Sequence, residues 1–299
     1  MMREEKLFSK DGCYSHVIES NALFHREAII YGTRVIHAFL ENCDAAKTIK
    51  VLDLACGAEP VSITAMLKNF PDRNFTYTGI DINPDQVSFA KQYFKFPENI
   101  RDVTVFEGNA WDPRLSALEG HYDIVFMGLN LHHGTPEEVY YLATQLAVII
   151  SDKGVYINHD VYRPDDQPYQ RRPDHHPDNA RESFLLLEPG LIESVRLPHV
   201  THNELGSDAP IAAWRQTYND LLRQTLMNQG AGRECADATY QHAHMRDYPI
   251  SLSDFAHIFK QADKDFNIKI LRYGDAHPLM AYIAMPVVSK AGQLLEALY

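Results

Sequence analysis

Two hydrophobic rhythms alternate along the first half of the chain. Short, nearly continuous apolar runs read as buried strands, and between them lie segments whose apolar positions return every three or four residues, the spacing of a helix face. The pattern predicts strands at 49–54, 75–80, 102–107, 122–127 and 153–159, with helices near 60–69, 84–95 and 135–150. An earlier helix is expected over 21–43, where Leu23, Phe24, Ile30, Val35, Phe39 and Leu40 keep helical spacing. Asn83-Pro84-Asp85 and Thr135-Pro136-Glu137-Glu138 each read as a helix start: a capping residue, proline at the first helical position, then acids in the first turn. Strand–helix alternation of this kind implies right-handed βαβ units and an α/β, doubly wound, mostly parallel sheet.

The rhythm stops near Arg163 and resumes near Tyr248. A bare loop of that length is implausible, because connections above ~15 residues are uncommon in compact domains. The segment is therefore expected to be an insertion with helices of its own. Its clearest element is 207–230, with Ile211, Trp214, Tyr218, Leu221, Leu222 and Thr225 on one face and Gly230 as a stop. A helix at 251–263 follows, then two strands at 266–275 and 277–288 joined by a turn at Gly274. The expected organisation is a core over 1–163, a helical cap over 164–248, and completion of the core over 249–299.

Composition narrows the function. The 299 residues carry a formal charge of -12, which disfavours nucleic acid as a partner because phosphate binding needs clustered Lys and Arg. No apolar run approaches the ~18 residues that cross a bilayer, so no membrane partner is expected. The opening MMREEKLFSKDG lacks the apolar centre of a signal peptide. Cys13, Cys43, Cys56 and Cys235 are scattered without a CxxC and read as reduced thiols, hence a cytoplasmic location.

Candidate chemistry gathers at strand ends. In IKVLDLACGAEP, residues 49–60, an apolar strand ends at Asp53 and runs through a small-residue turn into a helix. FTYTGIDINPDQ, residues 75–86, repeats the logic with Asp81, 24 positions after Gly57 and close to the spacing of about 20 expected of a carboxylate that grips a ribose. The pair points to an adenosine ligand.

With these motifs in order, the chain resembles the class I S-adenosylmethionine-dependent methyltransferases. VLDLACG is similar to the family's glycine-rich first motif, GIDINPDQVSFAK to its second, EGNAWD to its third and YDIVFMGLNLHHG to its fourth, with KGVYINHD as the fifth strand. The 266–288 pair resembles the antiparallel hairpin that completes the family's seven-stranded sheet. The resemblance implies S-adenosylmethionine as cofactor and S-adenosylhomocysteine as product. It places Asp53 near the methionine part, has Ala55 and Gly57 admit close backbone approach, and has Asp81 hold the ribose hydroxyls. It also sets Ile82 against the adenine, gives Asn109 and the Ala110 N–H to the adenine edge, and brings Trp111 onto the ring. Glu59 stands where the family more often has a small residue. A carboxylate there suits a cationic sulfonium cofactor better than a pyrophosphate.

Methyl transfer is an in-line displacement that needs a positioned nucleophile and, for some acceptors, a base. Asn130, His132, His133, His159, Asp160 and Tyr162 lie at the ends of the fourth and fifth strands, and His132, His133 and His159 are the candidate catalytic residues. PDHHPD and the His242–His244 pair invite a metal reading, but their spacings match no closed site, and no metal is expected. The expected activity is methyl transfer to oxygen or nitrogen of a small-molecule substrate. A protein acceptor, a non-catalytic binding protein for the cofactor or its product, and a nicotinamide dehydrogenase remain alternatives. The apolar face of 207–230 is expected to close over the acceptor or to make a homodimer.

Overall fold

The computed structural model describes residues 13–19, 21–111, 121–165, 170–171, 203–204, 213–247, 249–261, 266–272 and 280–286. Five parallel strands form the centre: β1 (Ile49–Leu54), β2 (Phe75–Asp81), β3 (Ile100–Glu107), β4 (Tyr122–Gly128) and β5 (Ile150–Val161). Two two-residue strands, β6 (Gln170–Arg171) and β7 (Asn203–Glu204), pair with each other away from the main sheet. β8 (Lys269–Arg272) and β9 (Met280–Pro286) complete the sheet in the order β3-β2-β1-β4-β5-β9-β8, with β9 antiparallel to both of its neighbours. Every expected strand of the centre is present. β5 runs past its expected limits because β9 pairs with it as far as Val161.

The helices are α1 (Cys13–Glu19), α2 (His25–Leu40), α3 (Val61–Lys68), α4 (Pro84–Gln92), α5 (Pro136–Ile149), α6 (Ala213–Asn228), α7 (Arg233–Arg246) and α8 (Leu252–Gln261). The two proline-headed starts behave as their sequences dictate. Asn83 Oδ1 accepts from the Asp85 and Gln86 N–H groups, and Thr135 with Glu138 forms a reciprocal capping box.

Strand side chains alternate between faces, so the sheet has two cores. Leu52, Val125 and Tyr156 pack against α5 and α8 through Leu142, Leu146, Phe255 and Phe259. Val51, Ile124 and Ile157 pack against α2 and α3 through Ile36, Ile63 and Leu67. Burial on both sides explains why these strands read as unbroken apolar runs rather than as alternating ones.

The connection from β5 leaves and returns at one place. Arg163 N–H donates to the Ile250 carbonyl at 3.0 Å, Ser253 N–H donates to Asp165 Oδ1 at 3.1 Å, and the buried Arg163 guanidinium pairs with the buried Asp254 carboxylate. Within it α6 and α7 pack together and form a third core with Val17, Leu23, Val161 and, at its margin, Leu129. Leu129 follows β4 and Val161 ends β5, so these helices sit at the carboxyl edge of the sheet.

Three expectations need correction. Cys13 and Cys235 are bonded to each other across 222 positions, with Cα atoms 5.2 Å apart, so only Cys43 and Cys56 are free thiols. The bond removes the reduced-thiol basis of the cytoplasmic expectation. The buried face of α6 consists of Arg215, Tyr218, Asn219, Leu222 and Leu226, while Leu221 is exposed. α1 and α7 were not expected, because neither carries an apolar stripe. Ile211, Gly274 and the PDHHPD run lie outside the described residues.

Candidate functional site

The strand order reverses between β1 and β4: β1 leads outward to β2 and β3, and β4 to β5 and β9. Ligands of open α/β sheets bind at such a switch point, beyond the carboxyl ends of the strands. The turn after β1 occupies it. Ala55 and Gly57 both adopt left-handed backbone, with φ of 58° and 67°. That conformation favours glycine at 57 and stores strain at 55, a pattern found where backbone is shaped for a ligand.

Asp81 fixes this turn. Its Oδ2 accepts the Gly57 N–H at 2.8 Å and its Oδ1 accepts the Asn83 N–H at 2.9 Å. Burial pushes its pKa up, opposed by the backbone N–H bonds. Asp53 is more deeply set. Burial drives its carboxyl up to about 7, the Tyr77 hydroxyl counters by donating to Oδ2 at 2.7 Å, and Asp81 adds to the rise. Beside them Ile82 is 45% exposed, an apolar side chain presented at the strand end.

The third-motif residues are tied into the fold by local contacts of their own. Asn109 Oδ1 accepts the Trp111 N–H at 3.0 Å and so closes a local turn, with a second lone pair left on that oxygen. Ala110 is buried in the core. The Trp111 ring lies over Gly134, where an added Cβ would come within 2.5 Å of it. Trp111 therefore packs across the turn that follows β4, and Gly134 is the residue that admits it.

That turn gathers the titratable groups. Leu129 is left-handed at φ 52°, and Leu131–His133 form one turn of 3-10 helix. Asp160, on β5, accepts the Asn130 and Leu131 N–H groups on Oδ2 at 3.0 and 2.6 Å. Its Oδ1 lies 2.5 Å from His132 Nδ1. The other His132 nitrogen, Nε2, faces Asp247 Oδ1 at 3.5 Å, and His133 Nδ1 is 3.7 Å from the same oxygen. Burial works against a charged His132, yet Asp247 and Asp160 override it and raise its pKa to about 9. His133 lies edge-on to the His242 ring, 5.3 Å between centroids.

His159 does not join this group. Its neighbours on β5, Asn158 and Asp160, turn toward the α5 face, and alternation sends His159 to the other side, 5.9 Å from the His25 ring. Burial first and His25 second hold it well below its ordinary pKa, so it stays neutral. Tyr162 donates to Asn158 within the core.

Asp247 is the residue that sequence reasoning missed. It ends α7, 115 positions after His132, and α6 fixes it there. Arg215 donates to its backbone carbonyl at 2.7 Å, and the Tyr218 hydroxyl donates to its Oδ2 at 3.2 Å. Tyr14, partly buried and near enough to Asp160 for that carboxylate to add to the desolvation that raises its pKa, was missed as well. Neither residue lies in a motif. The expectation of no metal site also meets a counter-finding: His132, His133 and Asp247 hold three donor atoms within 4.8 Å of one another.

Comparison with known proteins locates the fold. The family model described as a methyltransferase domain matches residues 51–154, from β1 into β5. An uncharacterized methyltransferase of Synechocystis sp. is 27% identical over 125 residues, 42% of this chain and 53% of that protein, so the chain spans about half the length of the curated relative it matches. Among solved structures it is similar to the plantazolicin methyltransferase BpumL in complex with SAH, with TM-score 0.48, 12% identity, and 92% and 88% of the two chains covered. It is also similar to the CurJ carbon methyltransferase, with TM-score 0.47, 11% identity, and 84% and 51% covered. Among the described residues, no helix is long and apolar enough to cross a membrane. Over residues 51–154, the strands and helices that build the switch point, the chain is similar to a methyltransferase domain.

Proposed function

We propose that this chain transfers the methyl group of S-adenosylmethionine to an oxygen or nitrogen of a small molecule. The observation that carries the reading is the juxtaposition at the switch point: the Asp53–Gly57–Asp81 crevice on one side, and the buried Asp160–His132 pair at the ends of β4 and β5 on the other. Asp53 and Asp81 are carboxylates facing a site for a cationic ligand. Glu59 is exposed at the start of α3, where it repels a pyrophosphate. In the reaction the acceptor's lone pair attacks the methyl carbon, the carbon–sulfur bond breaks, and the sulfonium becomes the neutral thioether of S-adenosylhomocysteine. The acceptor's proton passes to His133 at the strand ends, because His132, raised to about 9 between Asp160 and Asp247, already holds a proton near neutral pH. The α6–α7 pair closes over these ends as a cap and excludes water from the acceptor.

Calorimetry with S-adenosylmethionine, S-adenosylhomocysteine and NAD tests the crevice. Micromolar or tighter binding of the first two is expected, and equal binding of NAD overturns the reading. Release of S-adenosylhomocysteine with a panel of hydroxyl and amine metabolites then tests turnover.

A further inference from the structure

The geometry points to a metal centre at the mouth of β4 and β5: we propose that His132 Nε2, His133 Nδ1 and Asp247 Oδ1 bind one divalent transition-metal ion. Four observations converge on it. The three donor atoms lie within 4.8 Å of one another. Asp247 Oδ1 is buried and has no hydrogen-bond partner, although two imidazole nitrogens stand 3.5 and 3.7 Å away. These gaps exceed ordinary hydrogen-bond length, so the oxygen has imidazoles beside it but accepts no hydrogen bond. They lie close to the edge of a coordination tetrahedron, since bonds of about 2.0–2.2 Å to zinc set donor–donor separations of roughly 3.3–3.6 Å, and the third pair, within 4.8 Å, closes to that length with small side-chain movement. Finally, His132 turns Nδ1 to the Asp160 carboxylate and Nε2 to the group. That is the outer-shell arrangement by which a carboxylate fixes the tautomer and orientation of a metal-binding histidine.

Two imidazoles and one carboxylate suit Zn2+ or Fe2+ rather than Mg2+ or Ca2+, which prefer oxygen alone. Three protein donors leave a coordination position for water or for the acceptor's oxygen or nitrogen, the usual form of a reactive rather than a structural site. The donors come from two parts of the chain. His132 and His133 belong to the core turn, and Asp247 arrives from the end of α7. The ion would join cap to core. Its binding is separate from cofactor binding, because none of the three donors belongs to the Asp53–Asp81 crevice; with the ion in place, a coordinated hydroxide rather than an imidazole would take the acceptor's proton.

The test uses the full chain, stripped with a chelator and titrated with Zn2+ or Co2+ alone. One ion per chain is expected, with the intense visible bands of four-coordinate Co2+. His133→Ala and Asp247→Asn should each lower affinity by about tenfold or more, and Asp160→Asn by roughly 10- to 100-fold through the outer shell. S-adenosylhomocysteine titrated into the same variants reports whether the core is folded and should bind as in the parent chain. Two results overturn the proposal: no stoichiometric ion in the parent chain, or unchanged affinity in folded His133→Ala and Asp247→Asn, which would put the ion on other histidines.

Discussion

Single carboxylates at strand ends carry opposite duties here, and their surroundings decide which. Asp81 spends both oxygens on backbone N–H groups of the glycine turn and the following helix start. Replacing it with alanine should weaken cofactor binding by about 1.5–3 kcal/mol, the scale of hydrogen bonds to a charged group, with calorimetry as the measurement. Asp53 is tuned by burial instead. Its folded pKa, about 7, lies above the unfolded value near 3.9, so the native state holds the proton more tightly. Its contribution to stability is full below pH about 4 and disappears as pH rises through 7. Denaturant unfolding at pH 4, 6 and 8 should show the parent chain losing stability relative to Asp53→Asn across that window, by about 4 kcal/mol at most. A flat difference would mean that the carboxyl is ionised throughout. A cationic cofactor favours the ionised form, so its affinity should rise over the same pH range in the parent chain and not in the variant. Asp53 and Asp81 were legible in the sequence because a carboxylate closing an apolar run is a local pattern. Asp247 was not, because its meaning comes from His132, far away in sequence, and from the helix that holds it.

At the level of elements, the clearest signals came from segments that obey one rule at every position. β1, β2 and β4 end within a residue of their expected limits, and α4 and α5 begin where a cap and a proline demand. Elements that answer to tertiary partners were harder to read. α7 buries only small or polar positions such as Cys235, Ala236 and Ala243, so it offers no hydrophobic stripe. α6 turns Arg215 inward where the pattern suggested Leu221, because the helix end it packs against presents the His244 and Asp247 carbonyls to be satisfied. The same reasoning gives the Arg163–Asp254 pair its role. It joins the strand end to α8 where the insertion departs and returns, with both side chains almost wholly buried. Asp254→Ala removes the buried carboxylate that pairs with the guanidinium and should cost about 3–5 kcal/mol in denaturant unfolding. Replacing both residues with apolar ones of similar volume should recover much of that loss. If the single variant were no less stable than the parent chain, the pair would be an incidental contact rather than the clasp of the insertion.

Across the whole molecule, the carboxyl edge of the sheet is where separate stretches of chain meet. The amino-terminal α1, the turn after β4, the end of β5 and the α6–α7 pair share one core through Val17, Leu129, Val161 and Leu226. The Cys13–Cys235 bond pins the outer two of these, α1 and α7, to each other. Cross-links that close long stretches of chain act mainly on the unfolded state, and removing a native one typically costs 2–5 kcal/mol. Cys13→Ser, or reductant added to the parent chain, should therefore lower the midpoint of thermal unfolding. The functional effect should be selective. The Asp53–Asp81 crevice is built from β1, β2 and their turns, none of which the bond touches, so S-adenosylhomocysteine should bind with unchanged affinity in calorimetry. Asp247 stands at the end of α7, so its approach to His132 and His133 depends on how firmly that helix is held. Turnover, and the ion affinity proposed for those three residues, should fall together while cofactor binding stays constant. Loss of cofactor affinity on reduction would show instead that the cap and the crevice are one cooperative unit, and the division of labour drawn between them would be wrong.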